Sequence, residues 1–384
     1  MSQKYTFTRR NLLKAGTGTL ASFSAMGLPT FVAASGYPGK FTWISPRGTI
    51  EVMDDYAIWV AKAMGYYDDM GVQLDMQAGP PGGMAVVQFT SVGRADMGFP
   101  APGIIGNSIE QDMGLVSVFG TGALDLFDIA FRPGEGVSDL RELEGKTMLL
   151  GSAAWQAIAD PMLAAVGVDT SKINYIEAGW PTWTNALSSG QGDCCLAWEG
   201  LRASLDQNGL IFDYWLGLRG SPLPSNSQVV RRSDLEDPER RAFLQSFLKG
   251  MAMGHEFAEV NPRAAADIVF KAQPAAKAGF GPLAGTKSLM QLHRTFKGDM
   301  SKRVGWGDHD LDGYARFFEA QKSVGLLSED LNPEDFILND FIEEANNFDR
   351  AKVKADAEGY ALPDDLASID MQKVEAEFYN SAIN

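Results

Sequence analysis

Apolar and polar positions fall into two rhythms along this chain. Near the start "KFTWIS" (40–45) alternates as a half-buried strand does. After the loop "PRGTIEVM" the period lengthens: from about Asp54 to Met64 the residues Tyr56, Trp59, Val60 and Ala63 share one helical face, with Gly65 as the stop. "VQLDMQA" alternates again, "GGMAVVQFTSV" suits a helix, and "ADMGF" closes the series as a third strand. Strands separated by helices predict a parallel sheet with crossover connections. Two more strands follow, "LVSVFG" (115–120) and "DIAFRP" (128–133), then a charged turn, "VSDLRELEGK", with Ser138 placed to cap it. "TMLLGS" (147–152) opens a second strand-helix-strand set whose first helix reaches Val166. After "FDYWLGL", "SNSQVVRRSDL" (225–235) supplies another strand. From Asp237 to about Glu343 the pattern is mainly helical, broken at Asn261-Pro262 and in the glycine cluster at 279–285. The polar, charged last forty residues form a C-terminal extension, 346–384, with no pattern of their own.

The two sets share a local spelling. "FTSVGRADMGF" (89–99) and "LSSGQGDCCLAW" (187–198) each place an aspartate three residues after a glycine, at the start of a short apolar run. Upstream, "VQLDMQAGPPGGMAVVQ" (72–88) and "INYIEAGWPTWTNA" (173–186) both alternate, reach Ala-Gly and pass through proline into a helical stretch. One chain therefore carries two copies of a β-α-β unit.

Composition narrows the function classes. A length of 384 residues suits two domains of ordinary size, and 45% hydrophobic with 21% charged residues is a globular balance. A formal net charge of −16 argues against nucleic acid as a partner, since phosphate binding needs a concentrated basic face. "TRRNLLK" (Thr8–Lys14) resembles the twin-arginine export motif; a weakly apolar stretch and "VAA" (Val32–Ala34) follow, so residues 1–34 read as a cleaved signal. No later apolar run nears the roughly 20 residues that span a bilayer, and a soluble periplasmic protein is expected. Cys194 and Cys195 are adjacent in a predicted strand, point to opposite faces and are expected to be buried free thiols.

The order of these pieces resembles the periplasmic substrate-binding proteins of ABC importers, in the nitrate, sulfonate, taurine and pyrimidine-precursor (NMT1/THI5-like) group. The likeness is carried by "VAKAMGYYDDMGVQLDM" (60–76), "SVGRADMG" (91–98), "SDLRELEGKTMLLGS" (138–152), "ALSSGQGDCCLAWEG" (186–200), "FAEVNPRAAADIV" (257–269) and "SVGLLSEDLNPEDFILNDFI" (323–342). It implies an α/β fold of two lobes, each a mainly parallel sheet flanked by helices, joined by two hinge strands. Lobe one would comprise residues 36–131 and 225–345, and lobe two residues 132–224. It further implies a monomer that binds a small-molecule ligand and hands it to an inner-membrane permease and ATPase, with no cofactor and no catalysis. An enzymatic branch of the family makes thiamine pyrimidine with pyridoxal phosphate on a lysine, and at that position this chain has Pro100; such an enzyme, or a sensor-presenting protein, is the second alternative to transport.

Ligands of parallel α/β sheets lie beyond the carboxyl ends of strands, beside helix N-termini. That places candidate ligand contacts in lobe one at Trp43, Ser45 and Arg47, at Gly82 and Gly83, and at Phe99 and Pro100. Lobe two offers Ser152 and Trp155, Trp180 and Trp183, then Trp198 and Glu199. Flat indole rings could sandwich a planar or alkyl ligand. Glu199, Glu51, Asp54 and Asp55 put carboxylates around the same mouth, with Arg47 the one obvious cation near them. This tilts the expectation towards a nitrogen-bearing organic ligand, pyrimidine-like or amine, with Glu199 as its main acceptor; a sulfonate, nitrate or aromatic acid is the alternative. Trp59 belongs to the core by its helical spacing. "DHDLDGYARFFE" (Asp308–Glu319) fits a calcium-loop pattern, yet a helix from near Asp312 that buries Phe317 or Phe318 accounts for the same letters. His255, His293 and His309 are scattered and form no metal motif.

Overall fold

A computed structural model describes residues 40–80 and 83–380. Residues 1–34, expected to be an export signal, and Gly82 lie outside the described residues. In chain order the strands are β1 (Lys40–Ile44), β2 (Gln73–Gln77), β3 (Met97–Gly98), β4 (Leu115–Phe119), β5 (Phe127–Phe131), β6 (Thr147–Leu150), β7 (Asn174–Glu177), β8 (Cys194–Trp198), β9 (Asp213–Leu216) and β10 (Gln228–Arg231). They form two five-stranded sheets ordered β2-β1-β3-β10-β4 and β7-β6-β8-β5-β9. In each, the first three strands are parallel and the fourth, β10 or β5, runs antiparallel to its neighbours. Each fourth strand is laid down by chain that has just crossed from the other sheet, so two crossings, β4 to β5 and β9 to β10, join the lobes.

The repeated spelling does the same work twice. After the second helix of each lobe a left-handed glycine, Gly93 (φ 73°) or Gly190 (φ 87°), turns the chain. The aspartate three residues on then clamps the first strand. Asp96 donates its N–H to the Thr42 carbonyl, and its carboxylate accepts the Thr42 N–H at 2.9 Å. Asp193 makes the same pair with Thr147, its carboxylate accepting at 2.7 Å.

The helices that position the cleft and its supports are α1 (Tyr56–Ala63), α2 (Met84–Ser91), α3 (Pro102–Glu110), α4 (Gln156–Ala165), α5 (Trp183–Ser188) and α6 (Leu201–Gln207). The later ones are α7 (Pro238–Val260), α8 (Pro262–Ala272), α9 (Pro274–Lys297), α10 (Leu311–Ser323), α11 (Arg350–Glu358) and α12 (Met371–Asn380). Asn261 breaks α7 from α8 and caps α8 by accepting the Ala264 N–H, while Gly281 (φ 68°) kinks α9 within the expected glycine cluster. Trp59 is buried, but Ala63 of the same predicted face is exposed. Helices α7 and α8 pack on α1, so five residues from Ala57 to Ala61 are buried whatever their angle on the helix wheel. The charged turn is capped by Asp139, which accepts the Arg141 N–H, and not by Ser138, whose hydroxyl donates to Glu142. Cys194 and Cys195 are buried free thiols.

Two expected boundaries change. Residues 127–131 belong to the second sheet, because an antiparallel strand fills the gap between β8 and β9. The helical region after residue 225 is not confined to lobe one: α9 packs on α6, with the Ser288 hydroxyl donating to the Gly200 carbonyl at 2.7 Å, and α10 packs on α4. The C-terminal extension packs on the body, burying Val353, Ala357, Leu366 and Phe378. Among the described residues no helix is long and apolar enough to cross a membrane.

Candidate functional site

The lobes meet around two neighbouring chambers. The inner chamber, about 600 Å³ including its mouth, is lined from lobe one by Arg47, Asp54, Gly83 and Ile104 and from lobe two by Trp155, Ile158 and Trp198. Leu126, Phe127 and Asn226, from the two crossings, also line it. The outer chamber, about 970 Å³, is lined by Glu51 and Asp54 on one side and by Trp180, Trp183 and Trp198 on the other. Asp54 and Trp198 border both.

Local structure explains these placements. The loop after β1 is stapled by Ser45, whose hydroxyl donates to the Thr49 carbonyl and accepts the Arg47 N–H. This turns Arg47 onto the start of α1, where it holds both Asp55 carboxylate oxygens at 2.8 and 2.9 Å and Asp54 at 3.6 Å. Arg47 Nε is buried without a partner. Asp54 is also bonded from the opposite lobe by the Trp198 side chain, whose indole N–H is its only donor. Burial is the largest influence on the Asp54 carboxyl and pushes it up to about 6, against the pull of Arg47; the neighbouring Asp55 adds to the rise. With one guanidinium shared by two carboxylates, the group holds more negative than positive charge once Asp54 ionises.

Four tryptophans build the far wall. Trp180 stacks on Trp183 at 4.8 Å and on Trp198 at 5.6 Å, and Trp155 meets Trp183 and Trp198 edge-on at 5.4 and 5.9 Å. Trp183 is fixed by donating its indole N–H to the Leu196 carbonyl at 2.8 Å. Trp180 remains 39% exposed, leaving part of its surface open to the outer chamber.

Of the residues expected at the site, Arg47, Gly83, Trp155 and Trp198 line the inner chamber, and Trp180 and Trp183 line the outer one. Trp43, Ser45, Phe99, Pro100, Ser152 and Glu199 line neither. Trp43 is buried in lobe one, donating to Gln228 at 2.9 Å with Phe99 packed beside it. The Pro100 carbonyl accepts the Ser227 N–H, and Ser152 caps the short turn before α4. Glu199 is a structural anion. It is fully buried, its two carboxylate oxygens held by Arg202 at 2.9 and 2.8 Å, with Arg294 of α9 at 3.3 Å and Asp128 on the far side of Arg202. Its strand-end position fits the expectation, but β8 ends one residue earlier and Trp198 takes the cleft-facing place.

Sequence reasoning missed Ile104, Ile158 and the crossing residues Leu126, Phe127 and Asn226. The first two lie in the opening turns of α3 and α4, next to positions already singled out, and that proximity was the available signal. The calcium-loop letters form a helix beginning at Leu311, with Phe317 and Phe318 buried and Asp310 paired to Arg316. Among the described residues no group of three or more His, Cys, Asp or Glu is placed to hold a metal ion.

With this geometry in view, residues 54–265 match a family model described as NMT1/THI5 like. Comparison with curated proteins gives no match. Among solved structures the chain is similar to the alkanesulfonate-binding protein SsuA from Xanthomonas axonopodis pv. citri bound to MOPS, at 11% identity and TM-score 0.61 over 79% of this chain and 100% of that one. It is similar to the periplasmic aliphatic sulphonate binding protein SsuA from Escherichia coli, at 12% identity and TM-score 0.57 over 78% and 97%. It is also similar to the desulfurization enzyme DszB, at 16% identity and TM-score 0.52 over 81% and 99%. At these identities the likeness is one of fold, that of the periplasmic binding proteins.

Proposed function

Given that the chain belongs to the NMT1/THI5-like family, we propose an extracytoplasmic solute-binding protein that closes its lobes on a small nitrogen-bearing organic molecule and delivers it to an ABC permease and its ATPase. On this reading residues 1–34 direct twin-arginine export to the periplasm and are cleaved near Ala34, and the mature protein works as a monomer. The observation that carries the ligand class is Asp54. It is a buried carboxylate pushed up to about 6, bordering both chambers and bonded by Trp198 of the opposite lobe. A protonated amine would restore the charge balance around it, and either that amine or an aminopyrimidine edge would donate N–H hydrogen bonds to its carboxylate oxygens. Closure then follows from differential affinity. A cationic nitrogen offsets the desolvation of Asp54, which is greatest in the closed form, so the bound ligand shifts the population towards closure.

Catalysis is not part of this reading. Among the described lining residues of the two chambers there is no cysteine, histidine or lysine. The Cys194 thiol, the one just inside β8, is pushed by burial up to about 12, which leaves it a poor nucleophile.

A second reading, an anionic ligand, is favoured by one observation: the residues that precede α2, α3 and α4, namely Gly83, Ala101 and Trp155, line the inner chamber, and helix N-termini attract anions. Against it, the guanidinium of Arg47 is already engaged by two carboxylates. A thermal-shift panel of amines, aminopyrimidines, sulfonates and nitrate separates the two. A ligand at a hundred times its Kd stabilises the fold by about 2.7 kcal/mol. Stabilisation by amines that disappears in Asp54→Asn supports the first reading; stabilisation by sulfonates that survives that substitution establishes the second.

A further inference from the structure

The outer chamber has a chemistry of its own. Its described lining contains two carboxylates, Glu51 and Asp54, and no lysine or arginine. Opposite them stands a stack of indoles whose outermost member, Trp180, is 39% exposed and sits 4.8 Å from Trp183 beneath it. Carboxylates facing an accessible aromatic surface are the arrangement that holds a cationic nitrogen, by ion pairing on one side and by the ring quadrupole on the other. The inner chamber differs: most of its walls are apolar, and its one carboxylate, Asp54, lies at the boundary between the two spaces.

We propose that the outer chamber is a second subsite for the same ligand, taking a cationic nitrogen group between Glu51 and the surface of Trp180, so that the ligand is an elongated compound with two basic nitrogens. This rests on the amine reading above. One nitrogen pairs with Asp54 at the boundary, the apolar spacer lies along Trp198, and the second nitrogen reaches the outer wall. A compact monoamine uses Asp54 alone.

Calorimetric titration of the mature protein with two probes tests this, using benzylamine, which has one basic nitrogen, and 1,4-bis(aminomethyl)benzene, which has two. Trp180→Ala is expected to weaken the diamine about tenfold and to leave benzylamine within about twofold. Asp54→Asn is expected to weaken both. If Asp54→Asn weakens both probes while Trp180→Ala affects neither, the outer subsite is overturned and the amine reading stands. If neither probe binds the wild-type protein, or Asp54→Asn leaves both unchanged, the amine reading fails and the subsite with it. Because Trp180 is partly exposed, its truncation leaves the folded lobe to report.

Discussion

Asp54 and Glu199 show how two carboxylates in one cleft region can have opposite roles. Asp54 is raised to about 6 in the folded protein, above the ordinary carboxylate value of about 3.9, so folding favours its protonated form. Its ionisation therefore costs stability fully above about pH 6, and the cost vanishes below the unfolded value. Through Asp54, stability should fall as pH rises from about 4 to 6, and Asp54→Asn should lessen that slope, leaving the part due to other buried carboxyls such as Asp125, and gain about 1–3 kcal/mol at pH 7. Urea titrations across pH check both. Glu199 has a structural role instead. Its charge is matched by Arg202 and Arg294, and Glu199→Ala removes the carboxylate shared by these two guanidinium groups, leaving Asp128 beside Arg202, at a cost of about 3 kcal/mol, while ligand affinity of the protein that still folds stays unchanged. A large affinity loss would return Glu199 to the binding site.

At the scale of elements, closure depends on how near α3 of lobe one can come to α4 of lobe two. Gly103 permits the approach, because a Cβ there would overlap the Ala157 carbonyl. Gly103→Ala should hold the lobes apart, enlarging the radius of gyration in small-angle scattering and weakening ligand at least about tenfold, with secondary structure intact. The repeated Gly-x-x-Asp units show why element order was legible from the chain alone. The left-handed glycine is a local requirement, and the aspartate three residues on pairs with the first strand of its unit; both recur at Gly93/Asp96 and Gly190/Asp193 with the same bonds. Ala63 was misplaced because its exposure depends on how α7 and α8 lie over α1.

For the whole molecule, the late helices act as straps. Helices α9 and α10 reach lobe two, and the C-terminal extension covers the body with Val353, Leu366 and Phe378. Arg294 stacks on Phe378 at 4.8 Å while holding Glu199, so the extension is joined to the buried ion cluster through one side chain. A chain ending at residue 348 would lack these groups and expose the apolar surface of the body that they cover, and should lose on the order of 5 kcal/mol, seen as a lower midpoint in chemical denaturation. An unchanged midpoint would mean that the extension adds nothing to the fold.

The linear order of residues determined the β-α-β repeats, the helix breaks at Asn261 and near Gly281, the burial of Trp59 and the cysteines, and the placement of a tryptophan-rich cleft at strand ends. Each of these follows from spacing, turn chemistry or hydrophobicity within a few residues. Tertiary structure alone decided that β5 sits in the second sheet, that Trp43 and Phe99 are core, and that Asp54 faces the cleft while Glu199 is locked away. The reason is physical: a carboxylate's role depends on which cations and how little water surround it, and those neighbours come from segments far away in the chain. Arg294 stands 95 positions from Glu199, and Trp198 reaches Asp54 from the other lobe.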